Sequence, residues 1–492
     1  MVFNSYTFIV FFMIMLVLHN LPFLSWRTKK INLLLASYVF YAAWNPPFIL
    51  LLWLSTVVDF FVGRALFTQE NKYKKRILLV LSLIGNLGML CFFKYGNFFL
   101  DNFVTLVNSL GLNFHPAKPS IILPAGISFY TFTTLCYTID MYKRKSEPVR
   151  SFLDFALFVT FFPHLVAGPI VRPPQLVPQF QHPHQATRQQ LLQGLFLLSL
   201  GLFLKVVVAD TLMAGTANNV FGNPRPLPGL DAWMGVLAFS GQIFSDFAGY
   251  STCAIGVSMC LGFILPENFR YPYAAIGFAD FWRRWHITLS SWLRDYLYIP
   301  LGGNRKGEFR TYFNLMMTML LGGLWHGASW TFVVWGALHG IYLCIEKWIK
   351  QIFGPRERVS FEKAVVQSAS FQPAFTNSRG FKNLMLALGT FFLINVTWVF
   401  FRARDFSTAW QLLVSMFGQS KTTVPLLATI DIIKVTVVIT IIFVCHWLMR
   451  NSSVLSVAKK ISWFSLACFW AFLVISIIVC QKSADSFIYF QF

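Results

Sequence analysis

Acidic residues are scarce in this sequence. Asp and Glu together number 19 against 40 Lys and Arg, and charged residues make up only 12% of the 492 positions. So low a charged fraction is far from the composition of an average soluble globular protein. The net charge of +21 does not indicate nucleic-acid binding, because the basic residues lie in short loops between apolar runs and form no continuous stripe.

Cysteine pairs are also missing. None of the eight cysteines belongs to a C-x-x-C pair, and all of them lie within or at the ends of apolar segments. We therefore expect neither structural disulfides nor a metal site such as zinc. No internal repeat is visible, which weakens an inverted-repeat transporter interpretation without excluding it. Since no long linker divides the chain, residues 1–492 are predicted to form a single membrane domain.

Hydrophobic residues, in contrast, make up 56% of the chain and aromatic residues 18%. Apolar runs near 20 residues recur from end to end, and each is long enough to cross roughly 30 Å of hydrocarbon. Because only closed backbone hydrogen bonding survives in lipid, these runs predict an all-α polytopic membrane protein. The clearest runs cover residues 6–24, 77–93, 191–208, 384–401, 432–449 and 461–479.

Clusters of basic residues predict the orientation of these helices, since such clusters face the cytoplasm in membrane proteins. The resulting path places both termini outside the cytoplasm and includes a helical pair over residues 31–64 that is broken at "NPP". Residues 151–180 are too strongly interrupted by Pro and Gly for a confident span, so we predict a re-entrant segment. The clusters are Arg27/Lys29/Lys30, Lys72/Lys74/Lys75/Arg76, Lys143/Arg144/Lys145, Arg305/Lys306/Arg310, Lys347/Lys350/Arg356/Arg358 and Lys459/Lys460.

The segment "FADFWRRWHITLSSWLRDYLYIPLGGNRKGEFR", residues 278–310, is too charged for a lipid-facing helix and too apolar for a soluble loop. It places Arg283, Arg284, His286 and Arg294 among Trp and Tyr residues. One interpretation is an amphipathic helix anchored at the membrane surface. The other is the rim of a cavity whose arginines, including Arg305, meet an anionic cytoplasmic donor.

A histidine is predicted deep in the membrane within "LLGGLWHGASWTFVVWGALHGIY". If the helix runs straight from Arg310, His326 lies roughly 20 Å into the membrane. Small residues surround it and Trp325 provides a wall, so substrate can approach closely. An intramembrane ionisable residue is a functional candidate, although a packed, hydrogen-bonded histidine is the alternative. For His339, near the middle of the returning helix, we favour packing.

These motifs carry a resemblance. "DFWRRWHITLSSWLRDYLYIPLGGNR" and "GGLWHGASWTFVVWGALHG", together with "FFPHLVAGPI" and "FSDFAGYSTCAIG", resemble the membrane-bound O-acyltransferase family. The similar branch is the bacterial one that serves alginate and peptidoglycan O-acetylation and teichoic-acid D-alanylation. The resemblance implies a ring of about 11 transmembrane helices, with re-entrant and interfacial helices, around a central funnel. It also implies that His326 is catalytic and that His286 is the second active-site histidine.

The resemblance is not complete, because His164 stands where a polar, often amide, side chain is expected. Its role is therefore left open. The substrate-binding residues that we predict are Arg283, Arg284, Arg294, Trp325 and Asp246.

A mechanism follows from these residues. An imidazole with an ordinary pKa near 6.5 can take a proton from an attacking hydroxyl at neutral pH, so His326 is the predicted base. No bound cofactor is expected. The donor substrate would be acetyl-CoA or another acyl thioester that enters from the cytoplasm. His286 either orients the donor carbonyl or stabilises developing charge, and the sequence does not choose between these roles.

The last six residues, "FIYFQF", match an F-x-Y-x-x-F pattern that resembles a motif on a small partner protein of D-alanylation systems. That resemblance implies that Tyr489, in the extracytoplasmic tail 482–492, is an acyl carrier. The alternative interpretation is that the aromatic residues of the tail only anchor it at the membrane interface.

We therefore predict an O-acyltransferase of the bacterial inner membrane that acetylates an extracytoplasmic polysaccharide such as alginate, peptidoglycan or cellulose. An SGNH-type acetyltransferase or esterase outside the membrane is the expected partner. A transporter or lipid flippase is the main alternative, and a structural scaffold is a weaker one. Neither alternative needs a thioester donor.

Overall fold

The computed structural model describes residues 1–223, 225–353, 378–419 and 424–481. Within these ranges every regular element is helical. The first helices are α1 (Tyr6–Asn20), α2 (Trp26–Ala42), α3 (Ile49–Thr68), α4 (Lys72–Leu90), α5 (Gly96–Ser109), α6 (Ile127–Tyr142), α7 (Phe152–Thr160), α8 (Phe162–Leu165), α9 (Pro173–Gln181), α10 (Arg188–Leu202) and α11 (Ala214–Phe221).

The second half of the chain continues this pattern. Its helices are α12 (Gly229–Cys260), α13 (Phe278–Trp282), α14 (Ile287–Leu293), α15 (Glu308–His326), α16 (Trp330–Phe353), α17 (Ser378–Arg402), α18 (Phe406–Met416), α19 (Thr429–Met449), α20 (Val454–Ala458) and α21 (Trp463–Cys480). Wider π-helical turns occur at Cys91–Tyr95, Phe203–Met213 and Arg294–Tyr298.

Polar side chains at the ends of the apolar runs explain where several helices begin. Ser25 accepts a hydrogen bond from the Thr28 amide before α2, and Asn71 accepts from two amides before α4. Each cap satisfies amide donors that a helix start leaves without partners. The predicted break at "NPP" is confirmed, because a 3₁₀ turn at Pro46–Phe48 separates α2 from α3.

Burial separates an inner from an outer group of helices. Almost every side chain of α6 and most of α12 are buried, whereas α21 exposes most of its apolar side chains. Exposed Leu, Ile and Phe side chains on outer helices are compatible with contact to lipid and not with contact to water. The all-helical prediction for a multi-pass membrane protein is therefore confirmed.

The number of helices that could span a membrane differs from the predicted number. Seven helices of the described residues are long and apolar enough to cross a membrane, and α1 is a shorter apolar helix. The predicted count of about 11 is therefore not confirmed. The segment predicted to be re-entrant forms three short, largely buried helices, α7, α8 and α9. Their depth in the membrane stays a prediction.

Helices α15 and α16 form a closely packed hairpin that carries the histidine motif. A Cβ atom on Gly323 would lie 2.3 Å from the Phe332 carbonyl oxygen, and one on Gly336 would lie 2.3 Å from the Met319 carbonyl oxygen. Side chains at these positions would push the helices apart. The glycines therefore let the two backbones touch just below the end of α15.

Candidate active site

His326 is the last residue of α15, where Gly327 turns the backbone into an extended conformation. Its side chain is buried, and its ring lies 5.0 Å from Trp325, 5.0 Å from Trp335 and 5.3 Å from Phe401 between ring centroids. All three contacts are edge-to-face. Packing against these three rings, which form an aromatic cage, restricts the orientation of the imidazole.

The end of α15 is held by a second segment that the sequence did not single out. Lys94 Nζ donates to the carbonyl oxygens of Trp325 at 2.6 Å and His326 at 3.0 Å, and Tyr95 Oη donates to Leu324 at 2.8 Å. Lys94 was detectable as the one cation directly following the apolar run 77–93. An ionisable residue at such a place is a functional candidate, and we missed it.

His286 is buried and adopts a left-handed backbone conformation with φ 43°. Few residues other than Gly adopt this conformation, which costs about 1–3 kcal/mol and persists only when its surroundings enforce it. Asn268 helps to enforce this conformation. Its Oδ1 lies 3.2 Å from His286 Nδ1 and accepts a hydrogen bond from the Thr288 hydroxyl at 2.9 Å. The Asn268 carbonyl also accepts from the Ile287 amide. No pattern in the sequence pointed to Asn268.

Trp325 joins the two predicted active-site histidines. Its ring contacts His326 at 5.0 Å and His286 at 5.9 Å, and it stacks on Phe132 at 5.4 Å. His286 also packs edge-to-face on Phe247 at 4.7 Å. The structure therefore brings His326, Trp325 and His286 into one continuous aromatic cluster, and their roles in catalysis stay a prediction.

A cavity of about 70 Å³ reaches His326. The residues that line it are Trp44, Lys94, Leu123, Pro124, Ala125, Gly126, Ile127, Ser128, Phe129, Trp325 and His326. They come from the C-terminal end of α2, the N-terminal end of α6, the end of α15 and the π turn after α4. The cavity is large enough for a small acyl group or hydroxyl, but not for a whole coenzyme.

The cavity lies far from the basic loops. Helices α2, α4 and α15 begin beside the clusters at residues 27–30, 72–76 and 305–310, and α6 ends beside residues 143–145. Each of them presents its opposite end to the cavity. Since α15 has 19 residues, its length is about 28 Å. His326 is thus nearly one membrane thickness away from the basic end of its own helix.

Residues 278–298, the arginine segment, form the short helices α13 and α14 and the π turn Arg294–Tyr298. Arg283 is exposed, whereas Arg284 donates to Asp280 at 3.0 Å, and Arg450 binds the same carboxylate at 2.6 Å. Burial disfavours the charged form of Asp280. The charges of Arg284 and Arg450 and a hydrogen bond from the Ile276 amide stabilise that form by more than burial disfavours it. The pKa of this carboxyl therefore lies below its usual range. Arg284 is committed to an ion pair and presents less of its guanidinium to a ligand than Arg283.

Arg294 forms the other part of this segment. Its Nε lies 2.7 Å from Asp295, while Arg172 contacts the same carboxylate at 2.7 Å. Despite partial burial, the two arginines hold the pKa of Asp295 below its usual range. The Arg294 side chain remains 47% exposed and is available to a phosphate. Donor binding by Arg283, Arg284 and Arg294 stays a prediction.

Asp246 lies on α12 and is buried. Its Oδ1 is 2.5 Å from Lys205 Nζ, which also binds Asp210 at 2.9 Å. It is adjacent in sequence to Phe247, the ring that packs on His286. A role of Asp246 in substrate binding stays a prediction. Its ion pair with Lys205 also joins α12 to the π turn Phe203–Met213, which supports a structural role.

The remaining candidates are two buried histidines and a tyrosine of the tail. His339 is buried, with Nε2 3.2 Å from Thr397 Oγ1 and its ring 4.6 Å from Trp335, which agrees with a packing role. His164 is buried, with Nε2 3.1 Å from the Phe158 carbonyl oxygen. Tyr489 and the rest of the tail 482–492 lie outside the described residues.

Comparisons with known proteins identify the family of the chain. A model of the MBOAT, membrane-bound O-acyltransferase family, matches residues 5–357. The chain is 40% identical over 420 residues to the "Probable alginate O-acetylase AlgI" of Pseudomonas aeruginosa, covering 85% of this chain and 75% of that protein. It is also 40% identical over 416 residues to the "Peptidoglycan O-acetyltransferase" of Helicobacter pylori, covering 79% and 74%.

A more distant relative extends the comparison to a different acyl group. The "Teichoic acid D-alanyltransferase" of Bacillus subtilis is 30% identical over 264 residues, covering 48% of this chain and 63% of that protein.

Proposed function

This chain belongs to the membrane-bound O-acyltransferase family and is an acyltransferase, and from that premise we propose that it is an O-acetyltransferase for an extracytoplasmic polysaccharide. The observation that carries the proposal is the position of His326. It lies in an aromatic cage, at a cavity on the far side of the membrane helices from the basic loops. If those loops face the cytoplasm, the cavity faces outward and the arginine segment faces the donor pool.

In the proposed reaction, His326 acts as the general base. The acceptor hydroxyl loses its proton to the imidazole while its oxygen attacks the carbonyl carbon of a cytoplasmic acyl thioester, such as acetyl-CoA. The carbonyl electrons move onto oxygen and return as the carbon–sulfur bond breaks. The thiolate then takes the proton from the imidazolium. General base assistance of this kind contributes about 10² to 10⁴-fold to a rate.

The neighbouring residues divide the remaining tasks. Trp325 forms the wall between the two histidines. His286, held by Asn268, either orients the donor carbonyl or stabilises its developing charge. The exposed Arg283 and Arg294 meet the donor phosphates, while only the acyl arm reaches the centre. The protein would lie in the bacterial inner membrane, with both termini outside the cytoplasm.

The test uses purified protein in lipid nanodiscs with acetyl-CoA. We expect free thiol to be released and acetyl groups to be transferred, and we expect both rates to fall by about 10² to 10⁴-fold in the His326→Gln variant. The glutamine keeps a buried polar side chain but cannot accept the proton. Equal thiol release by both proteins would contradict the proposal. A transporter or flippase would turn over no thioester at all.

Tyr489 is the proposed acyl carrier that passes the acetyl group outward to an SGNH-type partner enzyme. An extended chain from residue 482 to residue 489 reaches at most about 25 Å, which is enough to turn back into an outward-facing funnel. Carrying the acyl group on a tyrosine divides one difficult transfer into two. Alginate, peptidoglycan and cellulose all remain possible acceptors of the second transfer, since the polymer would meet the partner.

Tyr489→Phe tests the carrier directly. The substitution keeps the ring, so an interfacial anchor tolerates it, but no acyl ester can form on a phenyl ring. We expect glycan acetylation in cells to be lost while membrane abundance stays unchanged. Peptide mass spectrometry of the wild-type protein, in cells without the partner enzyme, should find one acetyl group on residues 482–492. Wild-type acetylation by the Phe variant would show that the tail is an anchor.

A further inference from the structure

Lys94 occupies an unusual place in the fold. It lies in the π turn Cys91–Tyr95 that interrupts the long helix from Lys72 to Ser109, far from the basic residues at the start of that helix. π turns within helices are rare and frequently occur at functional sites. Its neighbour in the same turn, Tyr95, is buried against α15. The turn thus directs two consecutive side chains toward one helix end.

That helix end is the one that carries His326. The last four carbonyl groups of a helix have no partner within the helix, and a buried carbonyl without a partner is costly. Here Lys94 donates hydrogen bonds to the carbonyl oxygens of residues 325 and 326, and Tyr95 donates one to that of residue 324. A cation at a helix C-terminus also interacts favourably with the helix dipole. The three bonds fix the backbone from which the His326 side chain projects.

Lys94 also belongs to the cavity itself. It is the lysine among the residues that line the cavity, and its Nζ lies 5.6 Å from the centre of the Trp325 ring. The remaining lining residues, His326 apart, are apolar, aromatic or small. The positive charge therefore lies in the same space as the proposed base.

We propose that Lys94 is a positioning residue for acyl transfer: its ammonium clamps the last turn of the His326 helix and forms the positive wall of the cavity. The proposal rests on the proposed function, because it assigns Lys94 a task in the step at His326. It concerns the chemical step and not donor binding, because Lys94 lines the cavity at His326 whereas Arg283, Arg284 and Arg294 do not. In this role Lys94 forms no covalent bond to the substrate.

The experiment compares Lys94→Met, Lys94→Arg and Tyr95→Phe with the wild-type protein in nanodiscs. Met keeps the length of the side chain and removes the charge and donors, so we expect kcat to fall about 10²-fold, as for a displaced catalytic group, with the KM for acetyl-CoA unchanged. Arg keeps the charge and donors, and we expect it to retain kcat within about tenfold. Tyr95→Phe removes one neutral hydrogen bond from the same turn and should cost less than Met. Lys75→Met is the matched control and should behave as wild type, because Lys75 is a partly buried lysine of the same long helix that also lies over an aromatic ring.

A double variant separates positioning from general damage. If Lys94 acts through His326, adding Lys94→Met to His326→Gln should lower the remaining rate no further, whereas independent effects would multiply. A kcat within about twofold of wild type for Lys94→Met, or a fully multiplicative double variant, would overturn the proposal. If the Met variant does not accumulate, Lys94→Gln replaces it, because Gln also removes the charge and has a shorter side chain, and the same fall in kcat is expected.

Hydrogen exchange tests the clamp without any activity. Peptides covering residues 319–329 should exchange faster in Lys94→Met than in wild type, Lys94→Arg or Lys75→Met. Unchanged exchange there would show that the clamp does not exist. If wild-type protein turns over no thioester, the proposed function fails, and the exchange result still decides whether Lys94 holds the His326 helix.

Discussion

At the cavity, the ammonium of Lys94 is held by two backbone carbonyls and an aromatic ring, next to a caged histidine. At the basic end, Arg284 and Arg294 are instead held by carboxylates, and Arg283 is exposed. Side chains of the first group cannot move without disturbing the end of α15. In the second group the Arg294 side chain is 47% exposed, and an exposed ion pair typically contributes only about 0.2–1 kcal/mol.

This difference suggests a division of work between chemistry and capture. A rigid site suits a proton transfer, because its groups need no reorganisation during the reaction. Flexible, exposed arginines suit an anionic donor that must enter and leave with each turnover. Substitutions at the cavity should therefore affect kcat, and those at the arginine segment should affect the KM for the donor.

The largest effect is expected for His326→Gln in cells. Glycan acetylation should fall by about 10² to 10⁴-fold, which is the usual contribution of a general base. The protein level in membranes, measured by immunoblot, should stay near that of wild type. Loss of acetylation only in proportion to loss of protein would make His326 a packing residue.

A smaller effect is expected for Arg283→Ala and Arg294→Ala. Each should raise the KM for acetyl-CoA by up to about fivefold and leave kcat unchanged, as expected for an exposed charge contact. High salt should reduce the difference between wild type and variant, because it screens exposed charges. Arg404→Ala is the matched control, since Arg404 is exposed and pairs with its own neighbour Asp405. An unaltered KM in both arginine variants would show that they only anchor the segment.

The smallest effect on rate is expected for His339→Gln. His339 is as deeply buried as His326, but its Nε2 contacts Thr397 and it does not line the cavity. We expect kcat within about threefold of wild type and a loss of stability of about 1 kcal/mol from the altered hydrogen bond. Thermal unfolding in detergent and thioester turnover measure the two quantities. A kcat as low as that of His326→Gln would place His339 in the chemistry.

Much of the architecture could be predicted from the sequence. Long apolar runs indicated membrane helices, and "NPP" marked a break that the 3₁₀ turn at Pro46–Phe48 confirms. His326 stood out because an ionisable group is rare inside such a run. His286 and Trp325 were also singled out, and both lie in the same aromatic cluster as His326. The number of spans was harder, since helices broken by Pro, Gly and π turns blur the hydropathy signal.

The sequence by itself determined that the chain is an all-helical membrane protein and which histidines are candidates, because these follow from local composition and length. Only the tertiary structure decided that Lys94 meets the carbonyl of His326, 232 positions away, and that Asn268 holds His286. In lipid, an apolar side chain suits a helix–helix contact as well as a bilayer contact, so apolar periodicity does not reveal which helices are neighbours. The partners of buried polar groups are therefore set by packing, which no single segment encodes.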